Sequence, residues 1–275
     1  MNLKTIFANA NGINKKDILF MLEKKYNISS TNLIINNYNI NLSVEQSEDI
    51  NKILNNYPVE YILGECEFFG DRFAILPKVL IPRPETELLV EATIKCSNKN
   101  AKIIEIGGGS GCVSISIAKQ MPLAKIIALD IFAPAIQNIN KNIVLHGAGN
   151  VFGTLQNVKT FTKHKGVNFA NADVLVSNPP YIKQSSFALM QKSVKNFESR
   201  QALIGKDNGL EIYKIILQKA LKGKKRLTIC FEIGFDIYHS LVNFIEAKYK
   251  GIFKIAETIN DFNNVKRVII IRKIR

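Results

Sequence analysis

Residues 101–121 read "AKIIEIGGGSGCVSISIAKQM", and the succession of residue types in them decides the architecture. An apolar, β-prone run ends at Glu105 and Ile106, glycine then occupies positions 107, 108, 109 and 111, and a helical pattern opens at Cys112. A buried strand, a turn with almost no side chains and a helix N-terminus form the beginning of a βαβ unit. The same alternation continues outward from it. "KIIALD" (125–130) is a second strand, followed by the helix "APAIQNINKNIVLHG" (133–147). "DVLVS" (173–177) is a further strand and "LEIYKIILQKAL" (210–221) a further helix. "RLTICFEI", "GIFKIAE" and "KRVIIIRK" supply strands towards the end. Near-continuous apolar strands that alternate with helices predict an α/β fold, with a parallel sheet covered on both faces.

Upstream of residue 60 the hydrophobic period is helical. "NKKDILFMLEKKY" is expected to start at an Asn14 cap with Asp17 in its first turn. "SVEQSEDINKILNNY" opens on Ser43 with Gln46 three residues on, the spacing of a capping box. Tyr57-Pro58 closes that helix, because a residue before proline is driven out of the helical region. "EFFGDRFAIL" predicts a hairpin around Gly70-Asp71, and Pro77, Pro82 and Pro84 exclude regular structure until a helix begins near Glu85. This stretch is the expected connector between a helical N-terminal part and the α/β part.

With 275 residues, 47% apolar and 22% charged, the chain has room for one sizeable core and a small satellite. No apolar run approaches the roughly 18 residues that cross a bilayer. The start, "MNLKTIFANANG", has no long apolar core of an export signal, so a cytoplasmic location is expected. The four cysteines and three histidines show no metal or disulfide spacing, and no metal is expected. The net charge of +14 fits an acidic partner such as RNA, a nucleoprotein or an acidic protein. It equally fits a coding bias, since only seven of the 37 basic residues are Arg and none form a long basic arm.

The glycine turn excludes two phosphate-binding readings. A GxGxxG fingerprint would need glycine where Cys112 stands, and a Walker loop would need a Gly-Lys-Ser/Thr that is missing. Such turns also serve plain strand–helix geometry. What remains is GxGxG after the acidic Glu105, which resembles the S-adenosylmethionine loop of Rossmann-like methyltransferases. Asp130 at the end of the next strand, about 20 residues on, is placed to bind both hydroxyls of a ribose. The stretch "VFGTLQNVKTF", where the adenine would be held, has no carboxylate, and Asn157 is the available substitute.

"DVLVSNPPYI" (173–182) ends a buried strand in Asn178, two prolines and Tyr181. Asn-Pro marks turns in general. At the carboxyl end of a strand beside a cofactor cleft, however, the segment can clamp a planar nitrogen. An amide nitrogen is a poor nucleophile, and methylating it requires acceptors that hold its two protons. The Asn178 side-chain oxygen and the Pro179 main-chain oxygen are such acceptors. The prolines fix their own φ angles, and Tyr181 offers a flat face.

At this point the chain resembles the HemK/PrmC family, the glutamine methyltransferases of peptide chain release factors. "PVEYILGECEFFGDRFAILPKVLIPRPETELLVE", "NPPY", "FESRQALIGKDNGLEIYK", "FEIG" and "DFNNVKRVIIIRK" carry the likeness, over residues 57–275. The resemblance implies a Rossmann-like methyltransferase domain (85–275) with a mostly parallel seven-stranded sheet whose last strand is antiparallel. A helical substrate-docking domain (1–62) would precede it, joined by a hairpin linker (63–84). It also implies transfer of a methyl group from S-adenosylmethionine to the glutamine of a Gly-Gly-Gln motif, releasing S-adenosylhomocysteine. Gly107, Gly108, Gly109, Ser110, Gly111, Asp130 and Asn178 would bind the cofactor. Asn178, Pro179, Pro180 and Tyr181 would hold the glutamine, with Asn178, Pro179 and Tyr181 as the catalytic set. Residues 82–87 would roof the pocket and Glu198 would support it, unless Glu198 is a solvated helix-start residue. The partner would be a release factor, with no membrane and no direct nucleic-acid substrate.

This chain departs from the family pattern at four places. Glu105 stands for Asp and Gly108 for Thr, the latter expected to loosen the loop; Lys206 and Asn264 stand for glycine. Two other readings use the same residues: an adenine or guanine amino-methyltransferase, and a non-catalytic protein that binds release factors or ribosomes.

Overall fold

The structure is a computed structural model that describes residues 2–9 and 12–275. Five helices come first: α1 (Leu3–Asn9), α2 (Gly12–Tyr26), α3 (Ser30–Ile35), α4 (Val44–Leu54) and α5 (Val59–Leu63). They enclose a core of their own that includes Leu3, Ile18, Leu22, Ile50 and Ile53. The capping box forms as expected: Ser43 Oγ accepts the Gln46 N–H while Gln46 reaches back to the Ser43 N–H. Asn14 is not the start of its helix, since α2 begins at Gly12 and Asp17 therefore falls in the second turn. Helix α4 ends at Leu54, before Tyr57-Pro58, and Pro58 instead introduces α5.

Strands β1 (Glu65–Phe68) and β2 (Asp71–Ala74) form the hairpin. Phe68 pairs with Asp71, so the two-residue turn is Phe69-Gly70, one residue earlier than expected, with both φ values positive (51° and 77°). That is the mirror-image turn whose twist matches antiparallel strands. The remaining elements are α6 (Glu87–Cys96), β3 (Lys102–Ile106), α7 (Cys112–Gln120), β4 (Lys125–Asp130), α8 (Ala133–His146), β5 (Val151–Leu155) and β6 (Val174–Ser177). After these come α9 (Lys192–Phe197), α10 (Arg200–Leu203), α11 (Glu211–Ala220), β7 (Thr228–Glu232), α12 (Tyr238–Tyr249), β8 (Phe253–Asn260) and β9 (Lys266–Lys273). The fold is α/β, with a seven-stranded sheet in the order β5-β4-β3-β6-β7-β9-β8. Only β9, the last strand, runs against its neighbours, and it is inserted between β7 and β8. "VFGTL", placed in the adenine loop by the sequence, is instead the edge strand β5.

Strand alternation sends Ile103, Val174, Val176 and Cys230 to the face covered by α6, α7 and α8, and Ile104, Leu175, Ile229 and Phe231 to the face covered by α11 and α12. The hairpin is tied to the first face by two buried amides of α8. Asn138 and Asn142 both donate to the Ala74 carbonyl (2.9 Å each) and to the Ser110 carbonyl (3.1 and 2.9 Å), linking the connector to the glycine turn.

Candidate active site

The register of the sheet builds the site. Ile106 of β3 pairs with Leu129 of β4 and with Ser177 of β6, and Ser177 pairs with Phe231 of β7. The next residue on each strand is therefore Gly107, Asp130, Asn178 or Glu232. These four form one row across the carboxyl edge. The chain order reverses between β3 and β6, which makes this the switch point where open α/β sheets receive ligands. A Cβ placed on Gly107 would lie 3.9 Å from the Asn178 carbonyl oxygen, so the two loops meet there.

A cavity of 300 Å³ opens at this edge, lined by Gly107, Gly109, Asp130, Asn178, Pro179 and Pro180 among others. Gly107, Gly109 and Gly111 have φ of 76°, 53° and 84°, a backbone that side chains resist. Gly108, Ser110 and Gly111 do not line the cavity. Ser110 is buried and its hydroxyl turns to Cys112 Sγ (3.0 Å), so its support is indirect. The loop is not loosened at Gly108: a Cβ there would sit 2.9 Å from Ile139 Cδ1 and 3.2 Å from Ala128 Cβ. Ile139 already fills the space a threonine would need, and it also packs against Gly111 and Gly153.

Asp130 is held by the main chain. Its Oδ2 accepts the Gly109 N–H and its Oδ1 the Phe132 N–H, both at 2.9 Å, while burial raises its pKa. Each oxygen keeps a lone pair, enough for one hydroxyl of a ribose. Ile131, Phe132 and Val158 add apolar surface beside it, and Gln156 and Asn157 line the same wall. An apolar slot next to a carboxylate with free lone pairs and bare backbone fits S-adenosylmethionine. Glu105, by contrast, points into the core. It is 3% exposed, accepts the Ser114 hydroxyl, and burial pushes its pKa up to about 8.

On the acceptor side the walls come from distant segments. Glycines 205 and 209 press against the main chain after Asn178. A Cβ on Gly205 would meet the Pro180 oxygen at 2.3 Å, and one on Gly209 the Tyr181 oxygen at 2.3 Å. Tyr181 does not line the cavity; its ring lies over Gly234, where a Cβ would meet it at 2.7 Å. Lys206 has φ of −70°, so the missing glycine costs nothing there, and Asn264 adopts a left-handed φ of 58° that asparagine tolerates. Glu198 is not a solvated residue: it is 6% exposed and accepts from Arg83 Nη2 at 2.6 Å, tying residues 82–87 to the segment after Tyr181. Those residues do not roof the cavity, which is lined instead by Lys78, Val79 and Leu80 of the connector. Thr86 reaches the site from behind, its Oγ1 accepting from Asn178 Nδ2 at 3.3 Å. Thr86 and Glu232 were both missed in the sequence as site residues; the signal was their placement in "PRPETE" and "FEIG".

A doubly wound sheet with a glycine turn, a strand-end carboxylate and a cavity at the switch point defines a Rossmann-like, S-adenosylmethionine-dependent methyltransferase. A family model described as the methyltransferase small domain matches residues 84–232. The release factor glutamine methyltransferase of Enterococcus faecalis is 34% identical over 205 residues, 73% of this chain and 71% of that one. That of Thermodesulfovibrio yellowstonii is 32% identical over 244 residues, covering 86% and 85%. Among solved structures, the tRNA m1G37 methyltransferase of M. jannaschii aligns with a TM-score of 0.50 at 17% identity, over 77% of this chain and 56% of that one, a likeness of fold alone. The chain belongs to the release factor glutamine methyltransferase family. Among the described residues no helix is long and apolar enough to cross a membrane.

Proposed function

We propose that the protein transfers a methyl group from S-adenosylmethionine to the side-chain amide nitrogen of the glutamine in the Gly-Gly-Gln motif of peptide chain release factors, in the cytoplasm. The observation that carries this reading is the row of Gly107, Asp130 and Asn178 on three adjoining strands at the switch point. S-adenosylmethionine supplies an electrophilic methyl group on a sulfonium. Gly107 and Gly109 give it bare backbone, Asp130 accepts its ribose hydroxyls, and Gly108, Ser110 and Gly111 shape the turn.

Asn178 Oδ1 and the Pro179 carbonyl accept the two N–H bonds of the glutamine amide. With both protons held in plane, the nitrogen lone pair is left facing the cavity. The nitrogen would form its new N–C bond as the S–C bond breaks and S-adenosylhomocysteine leaves, and its surplus proton would pass to water. Pro180 stiffens the clamp, and Tyr181, packed on Gly234, braces it from outside the cavity. Catalysis of this kind is positioning, with a ceiling of about 7–11 kcal/mol for aligned reactants. The N-terminal helices, which the 1–62 division cuts one residue before the end of α5, are the proposed docking domain for the body of the substrate.

Incubation with purified release factor and S-adenosylmethionine, followed by peptide mass spectrometry, tests the reading. One added methyl on the glutamine of the Gly-Gly-Gln tip is expected. An unmodified tip, or methyl found only on nucleic acid, would refute it.

A further inference from the structure

We propose that Glu232 and Thr86 are positioning residues that set which end of the Asn178 carboxamide faces the cavity. The inference rests on the function proposed above, in which Asn178 Oδ1 must accept an N–H from the substrate. A carboxamide has two ends of nearly equal shape and opposite polarity. Turned over, Asn178 would present Nδ2–H to another N–H group, and the clamp would repel the amide it has to hold. Shape does not prevent this, so hydrogen-bond polarity behind the residue has to.

Three features supply that polarity. First, Asn178 Nδ2 lies 3.3 Å from Thr86 Oγ1, with the hydroxyl as acceptor. Second, Glu232 stands beside Asn178 in the row of strand ends, on the face that α6 covers and at whose start Thr86 sits. Thr86 and Asn178 each favour its ionised form through side-chain hydrogen bonds, against burial, which pushes its pKa up to about 7. A hydroxyl has one proton, and when that proton is committed to Glu232 the hydroxyl offers Asn178 only lone pairs. Third, Glu232 Oε2 is buried and has no hydrogen-bond partner among the described residues. In its ionised form, which Thr86 and Asn178 favour, Glu232 accepts and does not donate, so this oxygen can take an N–H from Asn178 but would repel its Oδ1. With Glu232 ionised, the wall behind Asn178 is therefore made of acceptors. It draws Nδ2 inward and leaves Oδ1 for the substrate.

Both groups are nearly out of solvent, Glu232 at 3% and Thr86 at 4% exposure, so water does not blur the distinction. The remaining charged and titratable neighbours of Glu232 are Arg267 of β9, Glu85, Tyr181 and Tyr213. Tyr213 donates to the Glu232 main-chain oxygen at 2.7 Å and fixes the strand end rather than the carboxylate. The pair also explains why "PRPETE" and "FEIG", far apart in sequence, accompany the Asn-Pro-Pro-Tyr segment: each contributes one acceptor to the same amide.

The test compares wild type, Glu232→Gln, Thr86→Val and Thr86→Ser, using intact release factor and S-adenosylmethionine. Gln at 232 keeps shape and removes charge, but its NH2 can donate to Oδ1 and so permits the flipped amide. Glu232→Gln is expected to lower kcat on the order of a hundredfold, the usual cost of a misplaced reacting group. Cofactor affinity by calorimetry should stay within about twofold, because neither residue lines the cavity. Thr86→Val should lose kcat in the same way, and Thr86→Ser, which keeps the hydroxyl, should recover most of it. A merely structural role would lower thermal stability and fail to separate Ser from Val. Undiminished kcat in Glu232→Gln, or equal loss in Thr86→Ser and Thr86→Val, overturns the inference. If wild type itself leaves the glutamine unmethylated, the functional reading fails; if wild type is active and Glu232→Gln matches it, only the inference fails.

Discussion

The two halves of the active edge are built by different means. On the β3–β4 side the work is done by main chain: glycine backbone, and a carboxylate whose two oxygens are held by N–H groups of the adjoining strand's glycine turn and of Phe132, two residues on. On the β6–β7 side it is done by side chains and glycines gathered from residues 83–86, 198, 205–209 and 232–234. The first half receives a ligand of fixed chemistry and can be made once, locally. The second must orient an amide presented by another protein, and it takes its shape from long-range packing. Lesions in the two halves should therefore separate kinetically.

The largest effect should come from the acceptor half. Asn178→Ala removes an acceptor for the substrate amide, and transfer should fall at least about a hundredfold. Cofactor affinity should change little, since Asn178 contributes only one of many walls to the cavity. Single-turnover rates with release factor and calorimetry with S-adenosylmethionine measure the two quantities; a large loss of cofactor affinity would erase the distinction between the halves. Asp130→Ala should show the reverse pattern. Losing two charge-assisted hydrogen bonds should weaken cofactor binding roughly tenfold to a hundredfold, with little change in KM for the release factor. Unchanged cofactor affinity would mean that the ribose lies elsewhere.

The same contrast governs what could be read from the sequence. The strand–glycine–helix order, Asp130 and Asn178 were legible because each lies within or just beyond a strand, and strand ends fall in line when a sheet is parallel. The capping box at Ser43 was legible for the same local reason. Misses fall where local pattern competes with tertiary contact. "VFGTL" has the Gly and Thr of a loop but pairs along β4 as an edge strand. Glu198 was left between a supporting and a solvated role, and only the ion pair with Arg83, 115 positions away in the chain, decides for the buried one. Thr86 and Glu232 could not be assigned roles, because Asn178 comes beside Glu232 only once β6 and β7 pair and beside Thr86 only once α6 packs on the sheet. Tyr181 was expected in the cavity and instead covers Gly234, a contact set by the close approach of two loops.

A smaller effect, on stability, should sharpen the account of Glu105. Its folded pKa lies at about 8, above the ordinary 4.5, because burial disfavours the charged form. The folded protein thus keeps a proton that the unfolded chain releases, and stability falls as pH rises between about 4.5 and 8. Glu105→Gln should flatten that slope and raise the melting temperature at pH 9 relative to wild type, with little difference at pH 4.5. A parallel slope in both proteins would mean that the carboxyl is ionised in the fold. Asp130, also raised by burial but steadied by two N–H donors, should not share this behaviour to the same degree.

The smallest effect tests whether the glycine turn is tight or loose. A Cβ on Gly108 would come to 2.9 Å from Ile139 Cδ1, the mobile end of its side chain, and to 3.2 Å from Ala128 Cβ, which has no freedom to yield. Gly108→Ala should therefore cost about 1 kcal/mol by overpacking, measured by denaturant unfolding. Ile139→Val removes Cδ1 and should cost about 0.5–1.5 kcal/mol alone. Together they should cost less than the sum, by roughly 0.5 kcal/mol or more, because the valine vacates the space the new methyl needs. Strict additivity would show that Ile139 does not fill the hollow over Gly108. Coupling would show that this chain exchanges a side chain on the turn for one on α8, keeping the cofactor loop rigid by packing from outside it.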